Sequence, residues 1–499
     1  MTSTNPYYAA LDLGSNSFHL IIVKNSENGL QSIDKVKHMV RLGEGLQSNG
    51  LLDKQAFTRG IKALEQMQQV LAPIPNEQIR VVATNTLRIA KNGAEFIAEG
   101  ERALGHPIDL ISGIEEARLI YLGITRHNHF TEPNLVIDVG GGSTEIIAGD
   151  GKQPIILRSL KMGCANLALK FFKKGKITHD NVNHAMAYAG QLIEPNIYEL
   201  KHHPWQQVIL SSGTAKTIKR LIEQSNPTHP VINRTTLQQL LHQLIDIGKS
   251  DKLAKKLDIN EARAYGFSAG VCIFAALFEH LEIDKAIVSQ EALREGVLLE
   301  LIGRDSQSHI DERTHTIRAF QNRFNIDPAH AERVSTLAQH LHDQMPALIP
   351  SRFNKLLHSA AQLHEIGLSI ARSAHYKHGA YILEHADMLG LSSLQQKAVS
   401  LIIKAQRKKI PQEELNALPP AIQSSVWQAT LALRLAVLLY RSRAPIAPEH
   451  YPRISHKNNH IHLNFEPDFL NHRPLTLADL DDEQIFWQQS SPYQLSYST

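Results

Sequence analysis

The residues of this chain best suited to chemistry on phosphate are two aspartates, each at the end of an apolar run and each followed by a turn of glycine and serine. Asp12 opens Asp-Leu-Gly-Ser-Asn-Ser, and Asp138 opens Asp-Val-Gly-Gly-Gly-Ser. Aligned, the copies share Asp12 with Asp138, Gly14 with Gly140, Ser17 with Ser143 and Ile21 with Ile147. Apolar residues flank each copy, Tyr8 to Leu11 before the first and Leu135 to Ile137 before the second. The pattern predicts strand, tight turn, strand. Glycine lets backbone N–H groups approach a ligand, and serine adds a hydroxyl donor. A nest of such donors suits phosphate oxygens, which makes Ser15, Asn16 and Ser17 in one turn, and Gly140, Gly141, Gly142 and Ser143 in the other, candidate phosphate contacts. Asp12, Asp138 and Glu145 offer the carboxylates that would hold a hydrated Mg²⁺ beside those oxygens. Duplication of the pattern implies two facing loops that clamp one phosphate chain from both sides.

Three further stretches carry compatible chemistry. Glu115 and Glu116 open an apolar-periodic helix; as neighbours they face different sides and need not share a task. A carboxylate near bound phosphates feels like charge, which raises its pKa and makes it a better base toward water. The plainer alternative is a solvated helix start favoured by the dipole. Arg88 ends Thr-Asn-Thr-Leu-Arg after an apolar strand, and its guanidinium fork matches phosphate geometry; a surface ion pair is the other reading. Ser212, Gly213 and Thr214 open a helix whose N-terminus favours anions, or which they simply cap.

The paired Asp-x-Gly-x-x-Ser turns resemble the phosphate loops of the actin/Hsp70/sugar-kinase superfamily. Within it, Asp-Leu-Gly-Ser-Asn-Ser-Phe-His-Leu and Asp-Val-Gly-Gly-Gly-Ser-Thr-Glu are similar to the exopolyphosphatase/guanosine pentaphosphate phosphohydrolase family (Ppx/GppA). The resemblance implies that Glu116 is the catalytic glutamate, that Arg88 matches the family's Thr-x-Thr-Leu-Arg, and that activity depends on Mg²⁺. Glu291 to Gly296 also matches, with Arg294 structural or phosphate-adjacent. Later, His330-Ala-Glu-Arg-Val and Leu-His364-Glu365-Ile-Gly resemble the first two motifs of HD-type metal phosphohydrolases. There the central aspartate is Glu365, and the late Leu-Ala-Asp reads Leu435-Ala436-Val437. Valine cannot bind a metal, so this part is expected to be HD-like in fold and inactive. Its histidines and Arg407-Lys408-Lys409 are then free to meet substrate.

The elements that must position these residues follow from periodicity. Strands are expected at Tyr8–Leu13, Leu20–Val23 and Ile79–Ala83, and helices at Lys54–Leu71, Glu115–Gly123 and Ala215–Glu223. From Thr316 to Arg443 strand signals vanish and apolar residues recur every three or four positions. With the resemblance, this implies a fold class of α/β actin-like (RNase H-like) duplicated domains at residues 1–124 and 125–305, then an all-α HD-like domain at 306–445 and a small α+β segment at 446–499. Gly303 to Thr314, polar and without periodicity, reads as a linker. At 499 residues the chain is too long for one core.

Composition is that of a soluble globular protein, 42% hydrophobic and 20% charged, with a net charge of +3 that makes no case for nucleic acid or membrane. Two cysteines, Cys164 and Cys272, fit a reducing cytoplasm. No signal peptide is expected, since the first lysine is Lys24, and the longest apolar stretch, Ala269 to Phe278, is too short to span a bilayer. A homodimer is expected.

The expectation is a phosphohydrolase that removes the terminal phosphate from guanosine 5′-triphosphate 3′-diphosphate, with inorganic polyphosphate as a second substrate. A dedicated exopolyphosphatase is the alternative. So is a non-catalytic sensor of guanosine tetraphosphate or polyphosphate, against which the intact Glu116, Asp138 and Glu145 argue. An actin-like kinase would need an adenosine pocket, which the sequence does not reveal.

Overall fold

A computed structural model of the chain describes residues 6–26, 29–128, 132–151, 153–225, 231–305, 312–345, 353, 355–457, 459–467, 469–471 and 473–498. The chain forms two compact units, Met1–His309 and Ile310–Thr499.

The first unit repeats one topology. Strands β1 (Tyr7–Leu13), β2 (Phe18–Ser26), β3 (Gly29–His38), β4 (Ile79–Ala83) and β5 (Ile108–Leu110) form a sheet of order β3-β2-β1-β4-β5. Strands β6 (Pro133–Val139), β7 (Thr144–Asp150), β8 (Gln153–Leu160), β9 (Gln207–Ser211) and β10 (Ile287–Val288) form a second, of order β10-β9-β6-β7-β8. In both, the first three strands run antiparallel and the last two join parallel: β1 pairs β2 antiparallel and β4 parallel, as β6 pairs β7 and β9. Each duplicated turn therefore sits at the end of the central strand of its sheet. β4 is buried along its length, and so are Asn134 to Val139 of β6. Covered on both faces, central strands read as continuous apolar runs.

Helices α1 (Lys54–Leu71), α2 (Asn85–Ile89), α3 (Gly93–Leu104) and α4 (Gly113–Asn128) belong to the first repeat. Asp53 caps α1 by accepting from the Ala56 amide, and α1 lays Gly60, Leu64, Met67 and Leu71 on the sheet. α4 runs past the 124/125 boundary drawn from sequence and past the expected helix on both sides. The second repeat carries α5 (Cys164–Phe171), α6 (His179–His202), α7 (Gly213–Ser225), α8 (Arg234–Ile247), α9 (Ser250–Leu257), α10 (Glu261–His280) and α11 (Leu293–Asp305). β1 alternates its side chains: Ala9, Leu11 and Leu13 enter the core under α1 and α3, while Tyr8 and Ala10 enter a shared core with Val136, Ile209, Leu119 and Val297. α4 and α11 thus lie between the two sheets, and they touch backbone to backbone. A Cβ on Gly296 would lie 1.8 Å from the Leu119 carbonyl oxygen, and one on Gly123 2.4 Å from that of Ala292.

The expected linker is partly helical: α11 extends to Asp305 and the next helix starts at Glu312. Only residues 306–311 of that stretch lie outside the described residues.

The second unit is helical through α12 (Glu312–Arg323), α13 (Pro328–Asp343), α14 (Leu356–Leu363), α15 (His375–His385), α16 (Ser393–Ala405), α17 (Gln412–Asn416) and α18 (Pro420–Leu439). Strands β11 (Arg453–Lys457), β12 (His460–Asn464) and β13 (Gln494–Ser498) and helix α19 (Pro474–Ser490) follow. Ile461, Leu463 and Trp487 from this last stretch share one core with Leu337, Leu363 and Ile402. Arg434 of α18, fully buried, clasps Glu483 of α19 through two bonds of 2.8 and 2.6 Å. α18, interrupted by Arg434, is the one helix among the described residues long and apolar enough to cross a membrane by length and composition. Within its unit 83% of that window is buried, as befits a central core helix.

Candidate active site

The two duplicated turns meet. A Cβ on Gly141 would touch Ser15 Cβ at 3.0 Å, and one on Gly142 would lie 2.4 Å from Asn85 Oδ1, so only glycine lets the turns come this close. Neighbouring backbone takes the turn carbonyls. Arg41 and Gly43 donate to Asn16 and Ser15, and Cys164 and Ala165 donate to Gly140 and Gly141. The turns line a cavity of about 260 Å³ between them, with the Gly140 amide taken by the Ser143 carbonyl. Asp12, Asp138, Glu116 and Arg294 also line it, with Asn85 and the 212–214 turn. Ser212 holds φ at 111°, a strained conformation for a residue with a side chain, at the mouth of α7.

The carboxylates form an acidic floor. Asp12 is raised to about 7, chiefly by burial, with Arg294 opposing and Asp138 adding to the rise. Burial raises Asp138 too, against a hydrogen bond from Ser211 and the charge of Lys216. Glu116 is pushed well above the ordinary range by burial and then by Glu145, while Arg88 pulls it back. Asp12 Oδ1 and Glu116 Oε2 are buried without a hydrogen-bond partner. Glu145 does not line the cavity; it lies behind the second turn, accepts from Ser159 Oγ at 2.8 Å, and is raised to about 8 by burial and Asp138.

The paired glutamates divide their tasks as the helix period requires. Glu116 faces the cavity. Glu115 turns away and clasps Arg118 through two 2.8 Å bonds; Arg118 also pairs with Glu300 of α11. Arg88, read from sequence as a phosphate fork, is not in the cavity wall. Its Nη1 donates to the Ile111 carbonyl at 2.7 Å and stands 3.6 Å from Glu116 Oε2. The guanidinium lies at the first turn of α4, where Arg88 Nη2 would be 3.5 Å from a Cβ on Gly113.

A basic wall faces the acidic floor, and sequence reasoning missed most of it. Lys37, Lys216 and Arg263 line the cavity with Arg294. Arg263 donates to the Gly213 carbonyl at 2.8 Å, and Lys216 to that of Gln290 at 2.8 Å. Lys37 is lowered to about 8 by burial and by Arg263 and Arg294. His19 bridges wall and turn: Nε2 is 2.7 Å from Ser17 Oγ and Nδ1 is 3.2 Å from Arg294 Nη1. Burial and the surrounding cations push His19 down to about 3, so it is neutral there. Lys216, two residues beyond Thr214 in a helix read as anion-facing, was within reach of that argument. Lys37 and Arg263 stand alone in a strand and at the head of an apolar helix, with no motif around them.

The chain itself matches a known group. The Ppx/GppA phosphatase family model matches residues 21–305, and the model of Ppx/GppA phosphatase domain III matches residues 312–484. The chain belongs to the Ppx/GppA phosphatase family. A curated relative from Vibrio cholerae serotype O1, named guanosine-5′-triphosphate,3′-diphosphate pyrophosphatase, is 37% identical over 489 residues, 96% of each chain. Among solved structures, the Ppx/GppA family member from Aquifex aeolicus is 27% identical with a TM-score of 0.52, over 60% of this chain and 99% of that one. An exopolyphosphatase from Cytophaga hutchinsonii, at 23% identity and a TM-score of 0.55 over 60% of this chain and 98% of that one, shares the fold. As a Ppx/GppA phosphatase the chain is a hydrolase acting on phosphoric anhydrides, with the actin-like duplicated fold expected of it.

Proposed function

We propose that this phosphatase removes the terminal phosphate of guanosine 5′-triphosphate 3′-diphosphate, and also trims inorganic polyphosphate. The observation that carries the reading is Glu116: a buried carboxylate, one oxygen of which accepts no hydrogen bond and stands 3.6 Å from Arg88, held at the cavity where the two glycine-serine turns meet. The turns and the basic wall take the phosphate chain, and the terminal phosphorus lies toward Glu116. Glu116 accepts a proton from water as the water oxygen bonds to that phosphorus. The bond from phosphorus to the bridging oxygen breaks, and the shortened chain leaves with that oxygen's electron pair. Raised by burial and Glu145, Glu116 is a stronger base than an ordinary carboxylate, and Arg88 keeps its ionised form accessible. Preorganised donors carry the rest of the work by position and charge.

The floor fits Mg²⁺. Its donors are oxygens, and Asp12 Oδ1 is buried without a partner. Asp12 and Asp138 would hold the ion, with Glu145 behind them. Among the described residues, the three-residue group with all ligand atoms within 4.8 Å is His330, His364 and Glu365, not these carboxylates. Wide spacing suits an ion that keeps waters and takes substrate oxygens. Bound there, Mg²⁺ would offset charge on the phosphates. A cytoplasmic homodimer belongs to the same proposal; both cysteines are free thiols, which suits a reducing compartment.

The preference for the guanosine compound rests on the full-length relative of that name and on Lys37 and Arg263, which also line a neighbouring cavity beside the Arg220–Asp258 pair and offer cations to a second phosphate group. Phosphate release from the purified protein, with both substrates side by side, tests it. Faster turnover of the guanosine compound is expected; turnover of polyphosphate alone would replace the reading with a dedicated exopolyphosphatase.

A further inference from the structure

A second cavity, of about 780 Å³, lies wholly within the Ile310–Thr499 unit, and it is a size that suits a small molecule. Its floor holds the His330, His364 and Glu365 group. Glu365 is already neutralised: Arg443 pairs with it and reaches Asp327 at 3.3 Å, while His330 Nε2 stands 3.9 Å away. Val437 lines the same cavity and offers no ligand. The Arg443 guanidinium therefore supplies positive charge at the carboxylate where a metal would otherwise bind.

The rest of the wall carries more cation than it uses. Asp479 is paired with Arg441, and Glu483 with Arg434. Arg372, Arg407 and Lys408 line the cavity, are solvent-exposed, and have no ion pair among the described residues; against them stands only Asp482. Lys408 and Arg443 hold φ at 58° and 60°. Left-handed backbone at two lining cations is a cost that the surroundings must enforce. Interspersed with these charges is an apolar surface. Leu368 is 37% exposed, Val437, Leu438 and Phe486 are half-buried, and the Arg434 guanidinium lies 5.6 Å from the Phe486 ring centre. Unpaired guanidinium forks suit phosphate oxygens, and apolar and aromatic surface beside them suits a flat ring.

We propose that this cavity is a second ligand site, for a nucleoside polyphosphate, with Arg372, Arg407 and Lys408 on the phosphates and the base against Phe486 and Leu368. It is independent of the catalytic cavity, all of whose lining residues lie in the other unit.

The test is photolabelling of the full chain with 8-azido-GTP, with the labelled peptides mapped by mass spectrometry. Label is expected on peptides carrying Leu368 to Arg372 or Phe486, and excess GTP should remove it. Arg372→Ala/Arg407→Ala should weaken that labelling by about tenfold or more, the usual size for losing hydrogen bonds to charged groups. Arg372→Lys/Arg407→Lys, which keeps the charge, should retain part of it. If the alanine pair does not fold, protection in the wild-type chain decides. Label confined to residues 1–309 would overturn the proposal. Inorganic tripolyphosphate protecting as well as GTP would overturn the nucleoside assignment, because the ring would then contribute nothing.

Discussion

Arg88 and Glu116 face each other at 3.6 Å, while the same arginine nitrogen donates to the Ile111 carbonyl at 2.7 Å. The guanidinium therefore stands beside the Glu116 carboxylate, placed to hold its charge in check, and it is not among the residues that line the cavity. Arg88→Met should raise the pKa of Glu116, since an adjacent opposite charge commonly lowers a carboxylate by about 1–3 units. The acidic limb of the kcat profile should move to higher pH by about one unit, with KM changed little. An unmoved profile with a much larger KM would place Arg88 on the substrate instead.

The metal-free protein should be more stable in acid. Asp12 is raised to about 7 and Glu145 to about 8, both chiefly by burial, from ordinary values near 3.8 and 4.5. Folding favours their protonated forms. That contribution is complete below the unfolded values and is lost as pH rises through 7 to 8. In chelator the melting midpoint should fall between pH 5 and 9, and Mg²⁺ should recover part of the loss at high pH. Asp12→Asn should flatten the curve and add about 1–2 kcal/mol at pH 8, as replacing a strained site group often does. A midpoint that rises with pH would contradict this.

Gly296→Ala should separate α4 from α11. Its Cβ would lie 1.8 Å from the Leu119 carbonyl oxygen, which is backbone and cannot swing aside. The expected cost is about 1–3 kcal/mol in denaturant unfolding. Activity should fall with it, because α4 carries Glu116 and α11 carries Arg294. Unchanged stability would show that the helices can shift freely.

Arg294→Ala and Lys216→Ala should raise KM more than they lower kcat, since both cations line the cavity that takes a polyanion. The loss should be largest at low salt, where charges are screened over distances longer than about 10 Å. A salt-independent loss confined to kcat would assign them to the chemical step.

Much of the fold could be read locally. The Asp-x-Gly-x-x-Ser turn is a short motif, and its repetition announced two sheets that have the same strand order. The 3.6 residue period alone separates Glu115 from Glu116, and the two side chains do part, one to Arg118 and one to the cavity. What could not be read depends on distant contacts. Fork chemistry left Arg88 open between a phosphate contact and an ion pair, and the pairing with Glu116 depends on where α2 meets α4. Lys37 and Arg263 reach the cavity from β3 and α10, which tertiary packing alone brings together. α18 lies in the stretch read as helical, but Arg434 interrupts its apolar run, and only the pairing with Glu483 shows why that charge can be buried. The bounds of the 303–314 linker were misjudged because helix continues into polar sequence at both ends.

The most direct measurement is phosphate release by Glu116→Gln from guanosine 5′-triphosphate 3′-diphosphate, with substrate affinity followed in parallel. The substitution keeps shape and removes the base. Affinity should stay near that of the wild type, and turnover should fall by roughly 10²–10⁴-fold, the usual contribution of a general base. Turnover near the wild-type rate would show that Glu116 is not the base, and the account of this site would fail.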